Sequence, residues 1–283
     1  MAMRILLMLP ALALMPWASL FRLGFGDDEY TYIVLVPVIT VALIYVDRRR
    51  IFSEVRYCRF AIVPLLVATA LLYEQRNVGL FAYAEDARLS LITILSLGVL
   101  LAHFAFCFGV RAMQRALFPL LFLFLCIPIP KPTMSSAIRF LQETSAAFSA
   151  ILFRLIRMPA LRNHLVFALP GFDIEIAEQC SGVRSSILLC IGSIVAGHLL
   201  LRTFWRKCAL ILITIPLVIF KNAVRIVSIA SLGVYVNHDF LHGKLHHYSG
   251  LPFSLIELAV VIPLLLKWHG TESIVVPGIQ TRQ

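Results

Sequence analysis

Long runs of hydrophobic residues, separated by short polar segments, set the pattern of this chain. A run of roughly 17–25 apolar residues is long enough to cross the hydrocarbon core of a bilayer as an α-helix. The third and fifth runs are short and contain prolines, so their ends are the least defined. The runs predict about eight transmembrane helices, at 5–21, 30–46, 60–73, 89–109, 116–129, 183–201, from near Cys208 onward, and at 251–266.

The composition supports a membrane protein. Hydrophobic residues make up 60% of the 283 residues, charged residues make up 14%, and the mean hydropathy is +0.90. A soluble globular chain is about half apolar and about a quarter charged. Since no internal repeat or Gly/Ser-rich linker divides the chain, we expect one all-α polytopic membrane domain over residues 1–283.

The net charge of +10 is concentrated in alternate loops and predicts the orientation of the helices. Cytoplasmic loops of membrane proteins are enriched in Lys and Arg. Both termini are therefore expected in the cytoplasm, with segments 131–182 and 237–250 outside. No loop is large enough to form a basic nucleic-acid-binding face. The basic loops carry Arg48, Arg49, Arg50, Arg56 and Arg59, then Arg111 and Arg115, then Arg202, Arg206 and Lys207.

The first run is expected to stay in the mature protein. A cleaved signal peptide has a basic start and a small-residue cleavage site. Here only Arg4 is basic, and no clear cleavage site precedes the acidic residues that begin at Asp27.

The outer segment 131–182 has its own periodicity. Apolar residues recur at helical spacing over 132–158, which predicts an amphipathic helix in the outer interface, with a tilted ninth span as the alternative. Residues 164–169 and 172–176 flank Pro170-Gly171, and the second run alternates apolar and charged residues. This pattern predicts a short extracytoplasmic β-hairpin closed by a type II turn.

Cys180 stands apart from the other five cysteines as a candidate nucleophile. It lies in a polar segment just before the sixth run, whereas Cys107 and Cys190 fall within predicted spans. A thiol at a helix N-terminus is more readily ionised because the helix dipole favours the thiolate, and Arg184 adds to that field. The alternative is a disulfide with Cys126, since the outer side is oxidising.

Arg225 is the second candidate, near the outer end of the seventh run. A charge within a span usually faces a cavity or a partner, although an arginine can also extend to the lipid headgroups. Asn222 lies one turn earlier on the same face of the helix. The two residues together favour a polar pocket.

Four histidines precede the eighth run: His238, His242, His246 and His247. Three of them are four residues apart and would share one helix face, which leaves a zinc site open as an interpretation. A base within reach of a thiol is the interpretation that we favour, with His246 as that base. We expect no metal and no cofactor.

Three separate segments therefore bring a thiol, a guanidinium and an imidazole to one depth on the outer face. Nucleophiles, bases and oxyanion-stabilising donors are recognised by such convergence rather than by sequence order.

At these residues the chain resembles the exosortase/archaeosortase family of membrane cysteine peptidase-transpeptidases. The blocks look like the family's E-x-C-S-G-x-R-S, N-x-x-R-I and H-x-x-x-G motifs, in that order. The resemblance covers about residues 26–267. The matching blocks are Glu178-Gln179-Cys180-Ser181-Gly182-Val183-Arg184-Ser185, Asn222-Ala223-Val224-Arg225-Ile226 and His246-His247-Tyr248-Ser249-Gly250.

The resemblance implies that Cys180, Arg225 and His246 are catalytic. It also implies that the substrates are exported proteins with a C-terminal sorting signal, made of a short Pro-Glu-Pro-like motif, a hydrophobic span and a basic end. Cleavage is expected at the periplasmic face of a bacterial inner membrane, with transfer to water or to another acceptor. The supporting residues are Glu178, Ser181, Gly182, Arg184, Asn222, His247 and Gly250.

Two other classes remain as alternatives. A transporter or lipid-handling protein would carry paired charges in mid-span and often internal symmetry. A zinc-dependent intramembrane peptidase would lose activity with a chelator but not with thiol alkylation.

Overall fold

The computed structural model describes residues 2–77, 85–176, 182–236 and 250–274. Contacts divide the chain into two compact units, Met1–Met134 and Ser135–Gln283.

The first unit is helical. Three short 3₁₀ turns, Asp28–Tyr30, Arg59–Ala61 and Leu123–Cys126, join or extend its helices. The helices are α1 (Ala2–Ala13), α2 (Trp17–Gly26), α3 (Tyr32–Val46), α4 (Arg48–Ile51), α5 (Ile62–Asn77), α6 (Glu85–Phe108), α7 (Val110–Arg115) and α8 (Leu117–Phe122), and the first residues of α9 (Lys131–Leu155) also belong to this unit.

The first predicted span is not one continuous helix. Leu6–Ala13 and Trp17–Gly26 are bent by 61° at the break between them. Pro16 stands at that break with φ −79° and ψ 51°, and proline has no N–H to continue a helical ladder. Apolar periodicity does not register such a break, which is why the run looked continuous in the sequence.

A polar loop in the first unit is attached to the end of α6. The backbone N–H of Arg56 donates to the carbonyl of Phe108 at 3.3 Å, and that of Cys58 donates to Phe106 at 3.2 Å. Gly109 follows α6 with φ +88°, and a Cβ at this position would lie 2.4 Å from the carbonyl oxygen of Arg56. Only glycine allows the loop to approach the chain so closely.

The second unit contains most of α9, a small sheet and three long helices. The strands are β1 (Leu161–Asn163), β2 (Val166–Leu169) and β3 (Phe172–Glu175), which form an antiparallel sheet in the order β1-β2-β3. The helices are α10 (Val183–Leu200), α11 (Phe204–Tyr235) and α12 (Gly250–Ile274).

The predicted hairpin is confirmed. Leu169 pairs with Phe172 across the two-residue turn, and Gly171 has the positive φ, +97°, that a type II turn needs at its third residue. Strand β1 was not predicted. All three of its residues are exposed and show no alternation of apolar and polar positions.

The sheet packs on α9 and α11. Phe167 of β2 packs against Phe153 of α9, with ring centroids 5.2 Å apart and ring planes tilted by 58°. Both side chains belong to a buried cluster that includes Ile226 and Val227 of α11. This cluster holds the sheet against the last third of α11.

Helices α10 and α12 both pack against α11 and run antiparallel to it. At one end, Arg206 of α11 donates to the carbonyl oxygen of Trp268 of α12 at 3.0 Å. Some 15 residues further along α11, Lys221 lies against Glu257 of α12 and Ser185 of α10. The start of α10, the second half of α11 and the start of α12 are therefore at the same end of this three-helix group.

An all-α membrane protein with a small sheet is the class that the structure supports. Among the described residues, two bent pairs raise the number of candidate spans from five to seven if each pair counts as one span. The third predicted span corresponds to α5, whose 16 residues extend about 24 Å, less than a hydrocarbon core of about 30 Å. The five helices long and apolar enough to span are Asp28–Val46, Ala87–Phe108, Val183–Leu200, Phe204–Tyr235 and Phe253–Glu272, and the pairs are Leu6–Ala13 with Trp17–Gly26 and Leu117–Cys126 with Lys131–Leu155.

Replacing Gly109 with alanine should destabilise the protein by about 2 kcal/mol or more, because the new Cβ meets the Arg56 carbonyl and the positive φ disfavours any side chain. The matched control is Gly26→Ala, since a Cβ there has nothing within 4 Å. Thermal unfolding in detergent measures both variants. Equal midpoints for the two would contradict the packing described for this loop.

Candidate active site

Gly182 forms the turn that starts α10. Its φ of +76° lies in the left-handed region, which glycine adopts without strain. Its carbonyl oxygen accepts hydrogen bonds from the Ser185 hydroxyl at 2.9 Å, the Ser186 hydroxyl at 2.7 Å and the Ser186 backbone N–H at 2.9 Å. Ser185, the last residue of the cysteine-containing block, and the next residue, Ser186, thus hold the turn in place.

Asn222 of α11 links this turn to α9. A Cβ built on Gly182 would lie 3.6 Å from Cγ of Asn222, so the amide packs directly against the glycine backbone. The amide nitrogen also donates to the Ser145 hydroxyl of α9 at 3.1 Å. Asn222 is fully buried, and a buried amide needs such partners because it has lost water.

A second contact with α9 holds the chain just after the sheet. Gln142, one turn before Ser145, donates its side-chain N–H to the carbonyl oxygen of Ile176 at 2.8 Å. The chain is therefore fixed at Ile176 and again at Gly182, on one face of α9. Residues 177–181, which carry the cysteine, connect these two fixed points.

A buried ion pair lies one helical turn before Arg225 along α11. Lys221 Nζ is 3.2 Å from Oε1 of Glu257, and the two side chains are only 4% and 3% exposed. The same Nζ donates to the Ser185 hydroxyl at 2.7 Å. One ammonium group thus joins α11 to both α10 and α12, and through Ser185 it reaches the Gly182 turn.

The two candidate arginines differ in burial. Arg225 is half-buried on α11, four residues beyond Lys221 and therefore on the same face of the helix. Arg184, in the first turn of α10, is exposed. Arg184 follows Gly182 by two residues, and Arg225 lies three residues beyond Asn222, which packs against Gly182. Both arginines thus belong to the end of the three-helix group at which α10 begins.

The remaining predicted site residues are outside the part of the chain that the structure describes. They are Glu178, Cys180, Ser181, His246 and His247, together with His238 and His242 of the zinc interpretation. Gly250 is the first residue of α12. Within the described ranges, no group of three His, Cys, Asp or Glu side chains could hold a metal ion.

Cys126 is a free cysteine and is buried. Its partner in the alternative disulfide, Cys180, lies outside the described residues.

Sequence reasoning missed the residues that support the site. Lys221 and Glu257 each lie within a predicted span, and opposite charges in neighbouring spans are a signal for pairing because an unpaired charge is costly there. Gln142 and Ser145 interrupt the apolar spacing of α9. Their burial was not predictable, because it depends on contacts with residues far away in the sequence.

In a comparison with protein-family models, residues 17–263 match the transmembrane exosortase family. Neither the curated proteins nor the solved structures gave a match. The matched range includes the Gly182 turn, Asn222, Arg225 and the buried ion pair.

The Lys221–Glu257 pair should show strong coupling in a double-mutant cycle. Either Lys221→Met or Glu257→Leu leaves one buried charge without a partner and should cost about 3–5 kcal/mol of stability. The double variant should cost much less than the sum of the two. Chemical unfolding of the purified protein provides the measurement.

Additive costs in that cycle would show that the two groups do not interact. The control is Arg111→Gln, which breaks an ion pair whose side chains are 69% and 46% exposed. It should barely move the unfolding transition, because solvent screens exposed pairs.

Proposed function

This chain belongs to the transmembrane exosortase family, and on that premise we propose that it is a cysteine-type endopeptidase or transpeptidase. Its proposed substrates are exported proteins that carry a C-terminal sorting signal of the PEP-CTERM type. Cleavage takes place at the outer face of a bacterial inner membrane, and the N- and C-termini are cytoplasmic. The proposal includes no cofactor, no metal and no nucleic-acid partner.

One observation carries the proposal: the described parts of all three motif blocks belong to the same end of one helix group. Gly182 packs against Asn222, Arg225 follows one turn beyond Lys221, and Lys221 pairs with Glu257 on the helix that starts at Gly250. Cys180 is two residues from Gly182, so covalent geometry keeps their Cα atoms within about 7 Å. His246 precedes Gly250 by four residues.

The proposed reaction begins when His246 takes the proton of the Cys180 thiol. The thiolate attacks the scissile carbonyl carbon, and a C–S bond forms. The C–N bond then breaks as His246 gives its proton to the leaving amine. The thioester is resolved by water or by an amine or other acceptor, which breaks the C–S bond and restores the thiol.

Arg225, assisted by Arg184, would stabilise the oxyanion or hold a substrate carboxylate. Either role uses the planar fork of the guanidinium group. The substrate's own hydrophobic span would lie in the bilayer beside α10, α11 and α12. Such docking turns a bimolecular encounter into a positioned one.

Replacing Cys180 with alanine should abolish processing, because the nucleophile is lost. The assay is co-expression with a reporter protein that ends in a candidate sorting signal, followed by its size on a gel. The matched control is Cys208→Ala, since Cys208 is a free, half-buried cysteine on α11. That variant should process the reporter as the unchanged protein does.

Processing by Cys180→Ala would disprove the thiol mechanism. Loss of processing with a chelator, together with resistance to thiol alkylation, would favour a zinc peptidase instead. Separate His246→Ala and His247→Ala variants identify the base, and the first alone should lose activity.

Arg225→Lys should lower the processing rate by about a hundredfold, because an ammonium group cannot replace the two-pronged donor geometry of a guanidinium. Membrane insertion should not change, since the charge is kept. Initial rates with the same reporter provide the measurement. A rate near that of the unchanged protein would show that only a positive charge is required.

A further inference from the structure

A cavity of about 460 Å³ lies in the first unit, beside the loop that is attached to the end of α6. Its lining combines basic and apolar side chains, which is unusual for a loop exposed only to water. The residues that matter for its chemistry are Glu54, Arg56, Arg59, Phe60 and Arg111.

The carboxylate in the lining is already paired. Glu54 accepts from Arg111 at 2.5 Å and from Arg115 at 3.1 Å. These hydrogen bonds, the one from Arg111 first, lower the pKa of the Glu54 carboxyl, so it is ionised at neutral pH. The Glu54 charge is therefore shared by Arg111 and Arg115 and does not neutralise Arg56 or Arg59.

Arg56 and Arg59 have no side-chain partner within the part of the chain that the structure describes. Both side chains are exposed and both line the cavity. The site thus has a clear excess of positive charge, and arginine forks match the geometry of phosphate oxygens.

Apolar side chains lie on the rim of the same cavity. Phe60 is 89% exposed, and Val110 is 51% exposed. Phe60 lies two residues before the start of α5, where Val63 is 63% exposed. Such exposed groups are stable next to lipid chains rather than next to water.

The backbone of the cavity is fixed before any ligand arrives. The Arg56–Phe108 and Cys58–Phe106 hydrogen bonds hold the loop, and Gly109 allows its close approach. The Tyr57 ring is covered by the Arg4 guanidinium at 4.1 Å. A preorganised site loses less entropy when it binds.

We propose that this cavity binds the headgroup phosphate of an anionic phospholipid, with Arg56 and Arg59 on the phosphate oxygens and the acyl chains against Phe60 and Val63. Charge complementarity and the adjoining apolar rim together select a lipid, because a soluble phosphate would use only the arginines. Basic pockets at the ends of membrane helices are suited to such headgroups. The cavity belongs to the first unit, whereas the residues proposed to catalyse cleavage belong to the second.

The test uses the full-length protein purified in a neutral detergent. It is mixed with phosphatidylglycerol and phosphatidylcholine of the same acyl chains, and bound lipid is counted by native mass spectrometry. The unchanged protein should retain phosphatidylglycerol in preference. The double variant Arg56→Gln/Arg59→Gln should lose that preference by about tenfold.

The matched control is Arg49→Gln/Arg50→Gln, which removes the same charge from exposed residues of the neighbouring helix that do not line the cavity. It should keep the preference. Equal retention of the two lipids by the unchanged protein, or an equal loss in both double variants, would overturn the site. Displacement of the lipid by an equal concentration of glycerol phosphate would also overturn it, because the ligand would then be a soluble phosphate.

Discussion

The buried ion pair between Lys221 and Glu257 is the interaction on which the second unit depends. Removing two charges from water costs several kcal/mol for each ion, and only close pairing with further hydrogen bonds offsets that cost. Here the ammonium group also reaches Ser185. A slip of α11 against α12 by one turn would separate the charges by about 5 Å. The pair therefore fixes the register of three helices and, through Ser185, the position of the Gly182 turn.

Helix α9 buries polar residues alongside apolar ones and leaves several large apolar side chains exposed. Its buried stripe includes the polar residues Gln142, Ser145 and Ser149, while Phe140 and Leu155 are 55% and 72% exposed. In water that surface would be unstable, but against lipid it is the expected orientation. The polar stripe is then free to hold the chain on either side of residues 177–181. A single helix thus presents exposed apolar side chains and also supports the candidate site.

Much of the fold was predictable from local pattern, and much of the site support was not. Hydropathy located the five long helices, and the alternation of apolar and charged residues around Pro170-Gly171 located the hairpin. The bend before Trp17 was missed because a proline does not interrupt the run of apolar residues from which the span was predicted. The candidate site residues were proposed from their type and order along the chain, and they stay a prediction. The contact of Asn222 with Ser145 was not found, because it joins positions 77 apart and depends on packing between helices.

The length of α11 makes bilayer thickness relevant to the chemistry. Its 32 residues extend about 48 Å, well beyond a hydrocarbon core of about 30 Å, and Arg225 lies about 32 Å from its first residue. The guanidinium is thus level with the phosphate layer when the helix starts at the opposite boundary. In a membrane with longer acyl chains, α11 could not move outward to match the greater thickness unless α12 moved with it, because Lys221 is paired with Glu257 of α12. Hydrophobic mismatch would then place the guanidinium below the phosphate layer, so the proposed chemistry would depend on the lipid composition of the membrane.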